Sequence, residues 1–289
     1  MIHQTLMAIG SLTSVALPPQ GTGGLTELSA SFHTRIPIVT VYAKQNGSSK
    51  AFRFALDSGA MQSMHLRMKS EGSRTLFADP SCKVKVSKVT FLPLAEASVA
   101  QSLRLEFQKM SLDGVLGFDF FSEHDVVINY QNSRVWIAKT MLGPAWIAKN
   151  AQWFTKLKLF DYDGSKVVWS RNPKDDRNST LLVFDTGASI TCLPEGTFEY
   201  DKESDLGPYH RYTIDGTLVG RRVIRELTID GCPTILRAKV FVGPGNPMLC
   251  PADFGSKLLV QFRQNTVWKL KPESSSSTLE KQKLSKLKK

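Results

Sequence analysis

An ordered internal repeat constrains this chain more than any other feature. Phe54-Ala55-Leu56-Asp57-Ser58-Gly59-Ala60 aligns with Val183-Phe184-Asp185-Thr186-Gly187-Ala188, and the two aspartates lie 128 residues apart. Asp119-Phe120-Phe121-Ser122 aligns with Asp253-Phe254-Gly255-Ser256 at an offset of 134. Gln131-Asn132 and Gln264-Asn265 precede Trp136 and Trp268, which are 132 apart. Three features recurring in one order at nearly one offset imply two homologous halves. The expected division is a lead-in at 1–30, a first lobe at 31–140, a linker at 141–150, a second lobe at 151–271 and a tail at 272–289.

Strand signals dominate each half. Ile36–Tyr42, Phe52–Leu56, Val84–Phe91 and Val126–Ile128 are β-branched or aromatic runs, as are Leu181–Phe184, Ile235–Val242 and Leu258–Phe262. Short helices are expected only around Asp119–Ser122 and Asp253–Ser256. The fold class that follows is mainly β, with two β-barrel-like lobes related by a pseudo-twofold axis.

Composition narrows the function classes. The 289 residues are 42% hydrophobic and 22% charged, which suits two globular domains and excludes a collagen, a coiled coil or a disordered chain. No apolar run of about 18 residues predicts a membrane-spanning helix. Cys82, Cys192, Cys232 and Cys250 are scattered, so neither a disulfide scaffold nor a paired-spacing zinc site is expected. His65 and His124 lack ligand partners at metal spacing, and neither a metal nor a cofactor is implied. The formal net charge is +11, of which +3 falls in 272–289. A basic surface attracts acidic partners, but no nucleic-acid motif accompanies it, so no nucleic acid is expected on the main domain. The tail lysines offer at most a weak contact with an anionic surface. Leu6–Pro18 has the length of a signal-peptide core with no Lys or Arg before it, which favours a cytoplasmic chain over a secreted one.

Each half places one Asp in an Asp-Ser/Thr-Gly turn directly after an apolar strand. Gly59 and Gly187 permit the turn, and the hydroxyls of Ser58 and Thr186 can bond backbone across it. If the halves pack about a twofold axis, Asp57 and Asp185 meet there. Two carboxylates at about 3 Å share one proton. The ionised partner can then take a proton from water while the protonated one donates to a carbonyl oxygen. Asp119 and Asp253 also recur; helix N-capping is the expected role for them. Trp136 and Trp268 are expected in the core. Cys192 and Cys250 are expected to be buried, inert thiols.

These motifs resemble those of aspartic proteases of the pepsin/retropepsin clan, with both lobes on one chain. The matching residues are Leu56–Ala60 and Phe184–Ala188, with Val115-Leu116-Gly117 as the segment that crosses beneath the active-site loop. The resemblance implies endopeptidase activity by Asp57 and Asp185. It also implies an extended polypeptide substrate, no cofactor, and a monomer. Three departures stand out. The second crossing segment reads Met248-Leu249-Cys250, with Cys in place of Gly. Ala60 and Ala188 stand where pepsin-like members carry a hydroxyl that would lower a carboxylate pKa, so a less acidic optimum is expected. The intervals from each Asp to Gly117 and Cys250 are as short as in retropepsin lobes. The resemblance also implies a hairpin flap. Tyr212 to Gly220 reads as one, with Ile214, Asp215, Gly216 and Thr217 at its tip. The equivalent first-half region is expected at Phe77 to Val86, where the hairpin signal is weaker. Two other readings stay open: a peptide-binding or scaffold module with weak catalysis, and a polyprotein-processing protease of a virus or mobile element.

Overall fold

The computed structural model describes residues 24–93, 101–172, 175–196, 202–213 and 216–271. The expectations about the N-terminal signal pattern and the lysine tail lie outside them. The first half runs β1 (Leu25–His33), β2 (Ile36–Gln45), β3 (Ser48–Leu56), β4 (Met64–His65), β5 (Gly72–Phe77), β6 (Lys85–Pro93), α1 (Gln101–Lys109), β7 (Gly114–Leu116), α2 (Phe118–Glu123), β8 (Asp125–Asn129) and β9 (Arg134–Ala138). After α3 (Pro144–Asn150) the second half runs β10 (Ala151–Lys158), β11 (Phe160–Tyr162), β12 (Ser165–Asn172), β13 (Asp175–Phe184), β14 (Thr191–Leu193), β15 (Asp205–Thr213), β16 (Gly216–Ile229), β17 (Leu236–Val242), β18 (Met248–Leu249), α4 (Pro251–Phe254), β19 (Lys257–Gln261) and β20 (Thr266–Leu270).

Each half closes a six-stranded barrel. In the first the order is β2-β3-β7-β4-β6-β5, closed by pairing of β2 with β5. In the second it is β12-β13-β18-β14-β17-β16, closed by β12 with β16. The two barrels match strand for strand, so the molecule is mainly β with two related lobes, as the repeat implies. Closure leaves no exposed sheet edge around either barrel. A third layer joins them. β8 pairs antiparallel with β19 (Val127↔Leu259), giving the interlobe order β10-β20-β19-β8-β9-β1.

Tight hairpins set the registers. Asn46-Gly47 and Asp163-Gly164 both adopt positive φ (51° and 78°, 47° and 74°), as a two-residue turn of this hand requires. Thr34-Arg35 makes the same turn with φ of 45° and 78°. Neither is a preferred residue there, and the Arg35 side chain is tied down by a 2.6 Å ion pair to Asp253 in the other half.

The core is continuous across the halves. Phe54 stacks on Phe91 with centroids 5.0 Å apart. Phe262 packs on Phe118, Phe121 and Phe184 at 5.7, 5.3 and 6.2 Å, so an aromatic from the second half fills space between both. Trp136 is buried, and Trp268 is partly buried against the same interlobe cluster, separated from it by β8 and β19.

Three expectations need correcting here. β1 starts at Leu25 and buries Leu28, so a strand lies partly inside the segment expected as a lead-in. The linker region holds a helix, α3, with Gly143 at its N-cap and Pro144 at the first position, where Pro lacks only an already unpaired N–H. A further helix, α1, buries Phe107 against Leu112 and Val115 of the first lobe. Its apolar residues are too few to give a clear helical period in sequence.

Candidate active site

Asp57 follows β3 and Asp185 follows β13. Each strand is fixed by parallel pairing to its crossing segment: Leu56↔Leu116 in the first lobe and Phe184↔Leu249 in the second. Each aspartate's N–H donates to that segment, Asp57 to Leu116 O at 3.0 Å and Asp185 to Leu249 O at 3.1 Å.

The two loops grip each other through their hydroxyl residues. The Ser58 N–H donates to Thr186 Oγ1 (2.9 Å), whose hydroxyl donates to Leu56 O (2.8 Å). Reciprocally, the Thr186 N–H donates to Ser58 Oγ (3.0 Å), whose hydroxyl donates to Phe184 O (2.8 Å). Both hydroxyls are buried and fully satisfied. Sequence reasoning has each hydroxyl brace its own turn. The structure corrects this, because the pseudo-twofold axis runs between the loops and each hydroxyl reaches the other lobe's strand end.

The same axis brings the carboxyls together. A Cβ on Gly59 would sit 2.7 Å from Asp185 Cγ, and one on Gly187 would sit 2.5 Å from Asp57 Cγ. Each glycine therefore makes room for the opposite carboxyl. Asp57 Oδ1 accepts from the N–H groups of Gly59 (3.1 Å) and Ala60 (3.0 Å), and Asp185 Oδ1 from that of Gly187 (2.7 Å). Burial holds the Asp57 carboxyl well above the usual carboxylate range, and the charge of Asp185 and a hydrogen bond to it push the same way. The backbone donors oppose that rise without cancelling it. The facing carboxyl and burial thus both favour the protonated form of Asp57.

A second symmetric network lies behind each loop, and sequence reasoning missed it. Ser63 Oγ accepts the Gly117 N–H (3.0 Å) and donates to Asp119 Oδ1 (2.7 Å). Thr191 Oγ1 accepts the Cys250 N–H (3.0 Å) and donates to Asp253 Oδ2 (2.6 Å). Ser63 and Thr191 are 128 residues apart, the spacing of the two aspartates, which is the signal that could have found them. Asp119 and Asp253 were expected as helix caps. Instead they accept these hydroxyls, and the residues at the N-caps are Gly117 and Cys250, with no side-chain capping bond.

Cys250 keeps the crossing intact. A Cβ on Gly117 would strike Gln62 backbone at 2.6 Å, so glycine is required in the first lobe. At Cys250 the backbone swings to ψ 116°, against −162° at Gly117, and the following Pro251 has no N–H to make the bond that Phe118 gives Ala60 O (2.7 Å). That looser path admits a thiol. Burial pushes the Cys250 and Cys192 thiols up to about 12, so both stay protonated at neutral pH.

The expected flap residues divide. Ile214 and Asp215 lie outside the described residues. Gly216 and Thr217 begin β16 and pair with Thr213 and Tyr212 of β15, so the hairpin exists. The first-lobe counterpart was misplaced. β6 pairs in parallel with β4 as β17 does with β14, so the β5–β6 hairpin matches β16–β17 and not β15–β16. Its loop carries Cys82, with Sγ 3.4 Å from Ser49 Oγ, near the end of β3 remote from Asp57. Between β4 and β5 the first lobe has a short turn where the second has β15. α1 touches both β15 and β16.

His65 is structural. Its Nδ1 accepts the Arg67 N–H, Phe52, Phe54 and Phe91 surround the ring, and burial lowers its pKa to about 4. Among the described residues no group of His, Cys, Asp and Glu side chains is arranged to hold a metal ion.

No family model and no curated protein matches this chain. A solved structure does. The aspartic proteinase from Irpex lacteus is similar over 88% of this chain and 99% of its own, with a TM-score of 0.55 and 10% sequence identity. At that identity the likeness shows the fold, and the chain has the pepsin-like, two-lobe aspartic proteinase fold.

Proposed function

We propose that the chain is an aspartic endopeptidase. The observation that carries this reading is the pair of carboxyls at the pseudo-twofold axis, each lying against the glycine of the opposite loop. In the reaction Asp185 takes a proton from a water lying between the carboxyls, and that water attacks the scissile carbonyl. Asp57 donates its proton to the carbonyl oxygen, giving a neutral gem-diol. The proton now on Asp185 passes to the leaving nitrogen as the C–N bond breaks, and Asp57 regains its proton from the diol. No covalent intermediate forms. Ser58, Gly59, Ala60, Thr186, Gly187 and Ala188 shape the two loops, and Leu116, Gly117, Leu249 and Cys250 support them from beneath.

The substrate lies extended in the cleft and adds main-chain bonds along the β15–β16 hairpin. That hairpin is the flap, and the second lobe alone supplies it. Deleting Gly216 to Leu218 raises KM and lowers kcat; unchanged kinetics would contradict the flap role. Both aspartates sit on one chain, so the active unit is a monomer. The Cys250 departure favours a non-catalytic binding module only if it disturbs the Asp185 loop, and that loop keeps its crossing bond.

A statine-type inhibitor tests the reading through its hydroxyl, which mimics the tetrahedral diol. It should raise the melting temperature of the wild type and leave Asp57→Asn and Asp185→Asn unmoved. An equal shift in all three would count against a catalytic dyad.

A further inference from the structure

Beside the Asp185 loop the second lobe forms a small apolar cluster. Ile190, Cys192 and Phe241 are buried, and Tyr209, Leu218 and Met248 pack on them. Tyr209 and Leu218 come from the flap hairpin. In its register Arg211 lies opposite Leu218 and Tyr209 opposite Gly220. Tyr209 and Arg211 are two residues apart on one strand, so both face this cluster.

Arg211 brings a charge to that face with no ion pair to an acidic side chain among the described residues. Its Nη2 lies 2.9 Å from Met248 Sδ, and a thioether is a weak acceptor. Its Nη1 is buried and has no hydrogen-bond partner among the described residues. A side chain at Gly245 would fall on Leu218 Cδ1 (2.6 Å) and 3.5 Å from Arg211 Nη1, so the glycine makes room for both side chains. The Cys192 thiol locates the group electrostatically. Burial raises its pKa to about 12, the positive charge of Arg211 opposes that rise, and the charge of Asp185 adds to it. One thiol thus senses both the flap guanidinium and the catalytic carboxyl.

The equivalent first-lobe position carries no arginine. There the Met64↔Val115 pair occupies the place of Cys192↔Met248. Around it Ile38, Ala55, Phe107 and Leu112 are buried, with Ala60, Leu66 and Met110 against them.

We propose that Arg211 makes the second-lobe side of the cleft a carboxylate subsite, so that the enzyme selects a substrate Glu or Asp there and an apolar side chain on the first-lobe side. This rests on the peptidase reading. A guanidinium nitrogen buried without an acceptor is unfavourable, and a substrate carboxylate seated against the Arg211 side chain would supply a charge-assisted bond that the thioether cannot. The net charge of +11 attracts acidic peptides to the protein.

The test uses peptides that differ only by Glu or Gln at each position flanking the scissile bond, at pH 6 to 7, where a free Glu is ionised. At one position the wild type should prefer Glu by between about 10- and 100-fold in kcat/KM. Arg211→Leu should bring that ratio close to one, whatever happens to the absolute rates, and Arg211→Lys should restore part of it. A wild-type ratio near one at every position, or a ratio unchanged in Arg211→Leu, overturns the proposal and leaves the peptidase reading standing. If the wild type cleaves neither peptide, the peptidase reading fails separately. The subsite is then judged by fluorescence anisotropy with Asp57→Asn. Tighter binding of the Glu peptide that is lost with Arg211→Leu supports it, and equal binding of the two peptides overturns it.

Discussion

Burial and the facing Asp185 raise the pKa of Asp57 above the usual carboxylate range. The raised pKa has a sign for stability. Between the ordinary Asp range and the raised value, the folded state binds more protons than the unfolded state. Stability from this group therefore falls as pH rises through that window. Asp57→Asn removes the penalty, so the variant should melt higher than the wild type at pH 7, and the gap should close toward pH 4. A gap that widens on acidification would contradict the assignment. Ala60 and Ala188 bear on the same balance. Among the described residues Asp57 Oδ1 accepts only backbone N–H groups, and so does Asp185 Oδ1. Adding a donor by Ala60→Ser or Ala188→Thr stabilises the carboxylate form and should move the kcat/KM optimum toward acid. An unmoved optimum in both would show that the alanines do not set it.

The loops act as a pair, and so do the networks behind them. Ser58→Ala leaves the Thr186 N–H and Phe184 O without partners in a buried place, which should cost about 2–4 kcal/mol in a denaturant titration. Thr186→Val should cost a similar amount, and the double variant less than the sum, because the two hydroxyls serve one interface. Additive losses would mean that the loops are held independently. At this scale the sequence was partly legible. The aspartates, their glycines and Leu116–Gly117 stand out because whole stretches recur around them. Ser63 and Thr191 recur at the same offset, but their neighbours Gln62 and Ile190 share nothing, so a lone hydroxyl carries no pattern. The β15–β16 hairpin was half legible. Turn residues reveal a hairpin, but the end of the barrel at which its tip lies depends on parallel pairing of β4 with β6, between segments far apart in the chain. Arg35 could not be foreseen, since its partner Asp253 is 218 residues away.

Across the molecule the interlobe sheet makes two barrels into one unit. β8 and β19 pair through four residues each, and Tyr130 N–H donates to Ser256 O at 2.7 Å. Buried Asp125 of the first half accepts from Gln261 Nε2 (2.7 Å) and Arg263 Nη2 (3.1 Å) of the second. Separating the halves would expose these groups and the apolar faces of both. Calorimetry should therefore show one transition, with calorimetric and van't Hoff enthalpies equal. Two resolved transitions would show lobes that fold alone. The same closure aligns the two aspartates, so the account stands or falls on their joint action. The most direct measurement is cleavage of an unfolded protein across pH 3 to 7 by the wild type, Asp57→Asn and Asp185→Asn, each shown to be folded. The account predicts cleavage by the wild type and loss of at least about a thousandfold in both variants, since a dyad acting as one unit fails with either member. Cleavage retained in either variant, or none by the folded wild type, would contradict it.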